Sequence, residues 1–195
     1  MQQDHHLIIF VKNPKLGKVK TRLAAGIGDE KALEIYLKLL EITRKEALRT
    51  NCVRNVFYSD EIESDCWDDD HFNKFVQQGN DLGNRMKNAF EQVFALGAEK
   101  AVIIGSDCPE IRAEILEASF IELDKNDVCI GSAKDGGYYL LGMKKLHPFL
   151  FEEKEWSTDS VFNDTITQLT EHRLRFGELV QLSDLDTADD LHLLS

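Results

Sequence analysis

Residues 7–11, Leu-Ile-Ile-Phe-Val, form an unbroken apolar run. Such a run marks a strand buried on both faces, since a half-solvated strand alternates polar and apolar positions. Residues 53–58, 101–105, 127–131 and 138–143 read as further strands, with shorter ones near 75–77 and 179–182. Between them apolar positions recur three or four residues apart. Leu33, Tyr36, Leu37 and Leu40 predict a helix from Gly28-Asp29 to about residue 48. Met86, Ala89, Phe90, Val93 and Phe94 predict another, capped by Asp81 and stopped by Gly97. Pro109 suits the first position of a helix carrying Ile111, Ile115 and Leu116. A helix over about 157–172 and a short one after Thr187 complete the chain. Strands alternating with helices predict an α/β protein whose parallel-dominated sheet is covered on both faces. In such folds ligands bind beyond the carboxyl ends of the strands, where strand order reverses.

The length, 195 residues, fits one domain over 1–195, burying roughly 70% of its unfolded surface. With 35 acidic against 23 basic side chains the formal charge is −12. That balance argues against nucleic acid or an anionic membrane as partner, because both need a broad basic face. The oligomeric state is not legible. Cys52, Cys66, Cys108 and Cys129 show no paired spacing, so neither zinc nor a disulfide framework is expected. The N-terminus lacks a signal-peptide pattern and residues 7–11 are too short to span a bilayer. The expectation is a soluble, reduced, cytoplasmic protein. Residues 60–70 hold seven acids, read as a solvated surface loop because no ordered glycine or regular ligand spacing supports a metal loop.

The charge is unevenly distributed. Lys12, Lys15, Lys18, Lys20 and Arg22 fall within eleven residues that contain no acid, a +5 segment on a −17 body. With Asn13-Pro14 and Gly17 as turn signals, this basic loop directly follows the first strand. Backbone N–H groups near Gly17, together with the Lys and Arg side chains, suit a phosphate cradle. An ordinary solvated loop is the alternative. A Walker A loop is excluded, because Lys12 stands where its first glycine belongs and Val19 where Ser or Thr belongs. No GxGxxG is present either.

Three acidic segments follow strands. Asp107 in Gly105-Ser106-Asp107-Cys108-Pro109 stands where a divalent-metal ligand would, or where an Asp caps a helix. Cys108 lacks an identifiable His partner and is not read as a nucleophile. Asp135 precedes Gly136-Gly137, which permits either close approach to a ligand or a hairpin turn. In Asp184-Leu185-Asp186-Thr187-Ala188-Asp189-Asp190, Thr187 and Asp190 have capping-box spacing. Asp186 is then left to act as a second metal carboxylate.

Taken in order, Lys12…Lys20-Thr21-Arg22-Leu23-Ala24, residues 78–86 (QGNDLGNRM), Gly105-Ser106-Asp107-Cys108-Pro109, Asp135-Gly136-Gly137-Tyr138-Tyr139, Trp156-Ser157-Thr158 and Asp184-Leu185-Asp186-Thr187 resemble the bacterial DUF2064 group. These are glycosyltransferase-like proteins within the nucleotide-diphospho-sugar transferase superfamily, and the match runs from about residue 7 to 193. The resemblance implies a three-layer α/β/α, Rossmann-like GT-A fold with a mostly parallel mixed sheet. The basic loop looks like the triphosphate-binding loop of 2-phospholactate guanylyltransferase and of the molybdopterin nucleotidyltransferases. That likeness implies nucleotide binding by Lys12, Gly17, Lys18, Lys20, Thr21 and Arg22, with Gln78, Asp81 and Arg85 on the base or acceptor side. By similarity to CMP-Kdo synthetase, Asp107 and Asp186 would hold Mg²⁺ or Mn²⁺. Ala188 and Asp189 depart from the usual Pro and Glu, beyond the proposed ligand.

Three functions follow as expectations. The first is metal-dependent nucleotidyl transfer, in which a small phosphorylated or hydroxyl acceptor attacks the α-phosphate of a nucleoside triphosphate and releases pyrophosphate. Lys20, Arg22 and Asp135 are the catalytic candidates. Charge-assisted phosphate contacts are worth roughly 1.5–3 kcal/mol each, so three or four contribute roughly 4.5–12 kcal/mol, the scale of the ~8 kcal/mol of micromolar binding. The second is glycosyl transfer from a nucleotide-diphospho-sugar, with Asp135 as general base towards an acceptor hydroxyl. The third is a non-catalytic nucleotide-binding module.

Overall fold

A computed structural model describes residues 4–194. The apolar run becomes β1 (His5–Val11), whose side chains are buried on both faces, as an interior strand requires. The chain continues through α1 (Thr21–Ile27), α2 (Asp29–Arg49), β2 (Val53–Tyr58), β3 (Asn73–Val76) and α3 (Leu82–Ala95). There follow β4 (Lys100–Ile104), α4 (Ala113–Lys125), β5 (Val128–Ala133), β6 (Tyr138–Met143), α5 (Val161–Glu171) and β7 (Phe176–Leu182). Two 3₁₀ turns, Pro148–Phe151 and Ala188–Leu194, complete the order.

The seven strands form one sheet ordered β3-β2-β1-β4-β6-β5-β7. β1 is parallel to β2 and β4, β2 to β3, and β5 to β7, while β6 runs antiparallel to β4 and β5. The sheet is therefore mixed and mostly parallel. Alternation within the strands feeds two cores. Leu7, Ile9, Val56, Val102 and Ile104 pack with Tyr36 and Leu40 of α2 and Leu116 and Phe120 of α4. Ile8, Phe57, Ile103, Ile130 and Leu141 pack on the other face with Met86, Phe90 and Val93 of α3 and Leu169 of α5. The result is the expected three-layer α/β/α architecture.

Three boundaries differ from the pattern reading. The basic loop ends in a helix of its own, α1, which buries Leu23 against Leu39 of α2 and Leu185. Leu23 is its only fully buried residue, with Ala24 and Ile27 packed beside it, and in seven residues these span a single repeat, too short for a periodic signal. α4 starts at Ala113, with Pro109 in the preceding turn. Helix α5 starts at Val161, because residues 156–160 are held in an irregular loop. No helix among the described residues is long and apolar enough to cross a membrane.

Candidate functional site

β1 connects outward to β2 on one side, whereas β4 lies on its other side, so strand order reverses between β1 and β4. A cavity of about 640 Å³ opens at this point, beyond the carboxyl ends of both strands. Tyr36 ties the two strand ends together. Its hydroxyl accepts from the Lys12 N–H at 2.8 Å, donates to the Lys12 carbonyl at 3.0 Å and lies 3.4 Å from the Ser106 hydroxyl.

The centre of the site is a lysine between carboxylates. Lys20 Nζ lies 3.0 Å from Asp107 Oδ1 and 3.1 Å from Asp186 Oδ1, and its side chain is only 4% exposed. Lys20 adopts a left-handed backbone, φ 48°, as it enters α1. Arg22, mostly exposed, reaches Asp186 Oδ2 at 2.6 Å. The backbone reinforces the meeting, because the Leu185 N–H donates to the Asp107 carbonyl at 3.0 Å. Asp190 Oδ2 accepts from the N–H groups of Asp186 and Thr187 and from the Thr187 hydroxyl. That contact realises the Thr187–Asp190 spacing as a cap which also fixes the backbone of Asp186.

Asp184 joins the same group. Burial, then the facing carboxylates of Asp107, Asp135 and Asp186, push its carboxyl up to about 7, with Lys20 opposing. It was not singled out from sequence, although the alternation Asp184-Leu185-Asp186 was a signal for it. Leu185 is fully buried, and its neighbours in an extended segment point the other way, towards the cavity.

Lys12, Lys18, Lys20, Thr21 and Arg22 all line the cavity, as do Asp81, Arg85, Asp107, Asp135 and Asp186. Gly17 and Gln78 do not. Gly17 sits in the turn at φ 70°, beside Asp29. The place expected of Gln78 is taken by Gln77. The Gln77 N–H extends the β3 pairing to the Tyr58 carbonyl, and its Nε2 donates to the carbonyls of Val11 and Phe57. A one-residue step in an extended segment reverses the side-chain direction, so Gln78 faces away.

The five basic residues are not equivalent. Lys15 pairs with Asp60 at 3.6 Å and Glu61 at 3.1 Å. The acidic segment 60–70 is thus partly a counter-charge to the basic loop, rather than only a solvated connector. Lys74 and Arg44 hold its other end through Asp65, Asp69 and Asp68. Lys12 and Lys18 are exposed and form no ion pair among the described residues, which leaves two free cations at the cavity.

The alternatives left open by the sequence now resolve geometrically. Asp107 caps no helix, because α4 begins six residues later. Asp81 does cap α3: its Oδ1 accepts from the Asn84 N–H at 2.8 Å, which holds its carboxyl below the usual range. Asp135 is both a turn residue, accepting from the Gly137 N–H at 2.9 Å, and a cavity residue. Burial pushes the Cys108 thiol up to about 12, which removes it as a nucleophile.

The two carboxylates that grip Lys20 converge on one cation-sized point. Hard oxygen donors of this kind suit Mg²⁺ or Mn²⁺. Among the described residues no group of three His, Cys, Asp or Glu side chains converges on such a point. The pair alone is still adequate chemically, because Mg²⁺ is commonly held by one or two carboxylates plus substrate phosphates and water.

A family described as an uncharacterized protein conserved in bacteria (DUF2064) matches residues 42–158. No curated protein matches the sequence. The fold is similar to that of a "putative nucleotide-diphospho-sugar transferase" from Desulfovibrio desulfuricans G20. The TM-score is 0.91 at 31% identity, covering 99% of this chain and 87% of that one. It is also similar to 4-diphosphocytidyl-2C-methyl-D-erythritol synthase from Anaerococcus prevotii DSM 20548, with TM-score 0.63, 12% identity and 98% and 95% coverage. CMP:2-keto-3-deoxy-manno-octonic acid synthetase complexed with CTP aligns with TM-score 0.60 at 10% identity over 97% and 96% of the two chains. The last two likenesses concern the fold, an α/β fold common to nucleotidyltransferases and nucleotide-diphospho-sugar transferases.

Proposed function

Since the chain belongs to the DUF2064 family of bacterial proteins, we propose that it is a transferase that moves a nucleotidyl group from a nucleoside triphosphate to a small acceptor. The observation that carries this reading is the grouping at one strand-order reversal of Lys12 and Lys18, which lack ion pairs among the described residues, with the Lys20–Asp107–Asp186 cluster. Two free cations beside two more that can be recruited suit a polyphosphate better than a single phosphate.

In this mechanism Lys12 and Lys18 bind the β- and γ-phosphates. Lys20 and Arg22 exchange their Asp186 contacts for the α-phosphate, where negative charge builds up as the acceptor approaches. Tyr36 keeps the ends of β1 and β4 in register, so that the cations and carboxylates stay opposed. For a hydroxyl acceptor, Asp135 Oδ2 receives the proton, while Oδ1 remains bonded to the Gly137 N–H. The acceptor oxygen forms a bond to the α-phosphorus, and the bond to the bridging oxygen breaks with its electron pair leaving on pyrophosphate. Asp107 and Asp186 would hold Mg²⁺ or Mn²⁺, which when bound supplies charge neutralisation on the phosphate oxygens.

A second reading is glycosyl transfer from a nucleotide-diphospho-sugar. It is favoured by the name of the 31% identical Desulfovibrio protein and uses the same phosphate groups. One experiment separates the two: thermal shift with all four triphosphates and a set of sugar nucleotides, each with Mg²⁺ or Mn²⁺, alongside pyrophosphate release. A triphosphate at 100 times its Kd adds about 2.7 kcal/mol, or about 5–10 °C for a chain of this size. Stabilisation by sugar nucleotides alone would transfer the assignment to the second reading. No shift with either class would sink both.

A further inference from the structure

The cavity divides by charge. In the sheet, β4 with Asp107 at its end lies between β1 on one side and β6 on the other. On the β1 side the lining carries Lys12, Lys18, Lys20 and Arg22. On the β6 side it is built from the turn between β5 and β6 and from the loop leading into α5. There the lining residues used in this argument are Asp135, Tyr138, Trp156 and Asp159, joined by the hydroxyls of Ser157 and Thr158. No Lys or Arg among the cavity-lining residues belongs to that wall. Arg85, on α3, turns back towards the end of β3, donating to the Gly79 carbonyl at 3.2 Å and to Gln77 Oε1 at 3.3 Å. Lys154 lies outside the lining, over the Trp156 ring at 5.4 Å and bonded to Thr165.

This wall is a built surface. Gly136 has φ 90°, and a Cβ there would run into the backbone of Asp159. Its carbonyl accepts from the Phe162 N–H at 2.9 Å. The Trp156 indole lies against Gly83 of α3, where a side chain would displace it. The Gly136 contact therefore sets the turn that carries Asp135 against the Asp159 backbone, and the Gly83 contact seats the Trp156 indole, on the side of Asp107 opposite the phosphate cradle.

A phosphorylated acceptor would bring about −1.5 to −2 charges against two carboxylates, with no Lys or Arg among the wall's cavity-lining residues to receive it. Hydroxyl groups, by contrast, donate to carboxylates, and the C–H faces of a sugar or polyol pack on aromatic rings. We propose that the acceptor is an uncharged polyhydroxyl compound of the sugar or polyol class, seated on Trp156 and Tyr138 and donating hydroxyl hydrogens to Asp135 and Asp159. The inference rests on the transferase reading, in either its nucleotidyl or its glycosyl form. In the nucleotidyl form, the acceptor hydroxyl oxygen bonds to the α-phosphorus and its proton passes to the Asp135 carboxylate. The electron pair of the broken phosphorus–oxygen bond departs with pyrophosphate.

The test uses matched pairs: glucose with glucose 6-phosphate, and glycerol with glycerol 3-phosphate. The chain has two tryptophans, and Trp67 is fully buried, so acrylamide quenching of the native protein reports Trp156. The neutral member of a pair should protect Trp156 at a concentration at least tenfold below that of its phosphate. Asp159→Lys, an exposed position, should shrink or invert that ratio, and Asp159→Asn should weaken neutral binding while leaving triphosphate affinity unchanged. Equal or tighter binding of the phosphorylated member, tighter binding of glucosamine than of glucose by tenfold, or no protection by any compound would overturn the proposal. Product formation with a labelled triphosphate or sugar nucleotide is measured in parallel. Neutral sugar binding without any transfer would refute the transferase reading while leaving the subsite in place, and transfer preferring a phosphorylated acceptor would do the reverse.

Discussion

Replacing Asp184 by Asn should make the metal-free protein more stable, and only above mildly acidic pH. Asp184 is partly buried beside three other carboxylates, and that environment raises its proton affinity from an ordinary value of 3.8 to about 7. The sign follows from proton linkage. Between these two values the folded protein holds the proton more tightly than the unfolded chain, so stability falls as pH rises from about 4 to about 7 and is level above that. Each tenfold change in proton affinity is worth about 1.4 kcal/mol, which would give about 4 kcal/mol in a site sealed from water. The cavity is open and Lys20 opposes the repulsion, so about 2 kcal/mol is the expected size. Asn keeps the shape and removes the charge. In chelator-containing buffer the variant should therefore melt about 4–8 °C above the parent at pH 8, and the two should coincide at pH 4. Calorimetric melting at four or five pH values measures this directly. A difference of constant size and sign across the range would mean that Asp184 acts through packing or a hydrogen bond, and the account of a crowded carboxylate cluster would fail.

Three other outcomes are expected. Gly136→Ala puts a methyl group into the Asp159 backbone at a position with φ 90°. It should cost about 2–3 kcal/mol, seen as a fall of about 4–12 °C in Tm, together with loss of Trp156 protection by neutral sugars. Lys12→Ala and Lys18→Ala remove exposed side chains without ion pairs among the described residues. Each should weaken triphosphate binding about tenfold by calorimetric titration, with Tm unchanged within about 2 °C. With Cys52, Cys108 and Cys129 buried and their thiols raised to about 12, and Cys66 exposed, iodoacetamide at pH 7.5 should label only Cys66 in the native protein. Mass spectrometry of the digested product checks this, and rapid modification of Cys108 would reopen its exclusion as a nucleophile.

The hydrophobic pattern was enough for the element order, because strands buried on both faces and one-sided helices each leave a periodic trace within a short window. It placed β1, β2, β4, β5, β6, α2 and α3 to within a few residues, and so brought the basic loop and the segments of Asp107, Asp135 and Asp186 to the carboxyl edge of the sheet. α1 escaped notice because its seven residues hold only one helical repeat, Leu23 to Ile27, too short to stand out. The start of α4 was misplaced because Pro109 suits a turn as well as a first helical turn. Gln78, placed on the base or acceptor side by resemblance, lies outside the cavity lining and Gln77 stands there instead, because the phase of an edge strand depends on its partner, β2, rather than on its own sequence.

The basic loop was also recognisable from sequence, but its internal division was not. Lys15 is neutralised by Asp60 and Glu61, while Lys20 is shared by Asp107 and by Asp186, 166 residues away. Charge interactions act through space, and their strength is set by separation and burial, neither of which has a period along the chain. The same applies to Asp184, whose proton affinity is raised by burial and then by three carboxylates from three different connections. Asp159 and Trp156 likewise reach the cavity wall only through contacts with glycines on other elements. Composition and spacing could name the residues proposed to hold phosphate, metal and proton. Which of them face one another was decided by the crossing of β1, β4 and β6 in a single sheet, because only folding brings side chains so remote in sequence within a few ångströms.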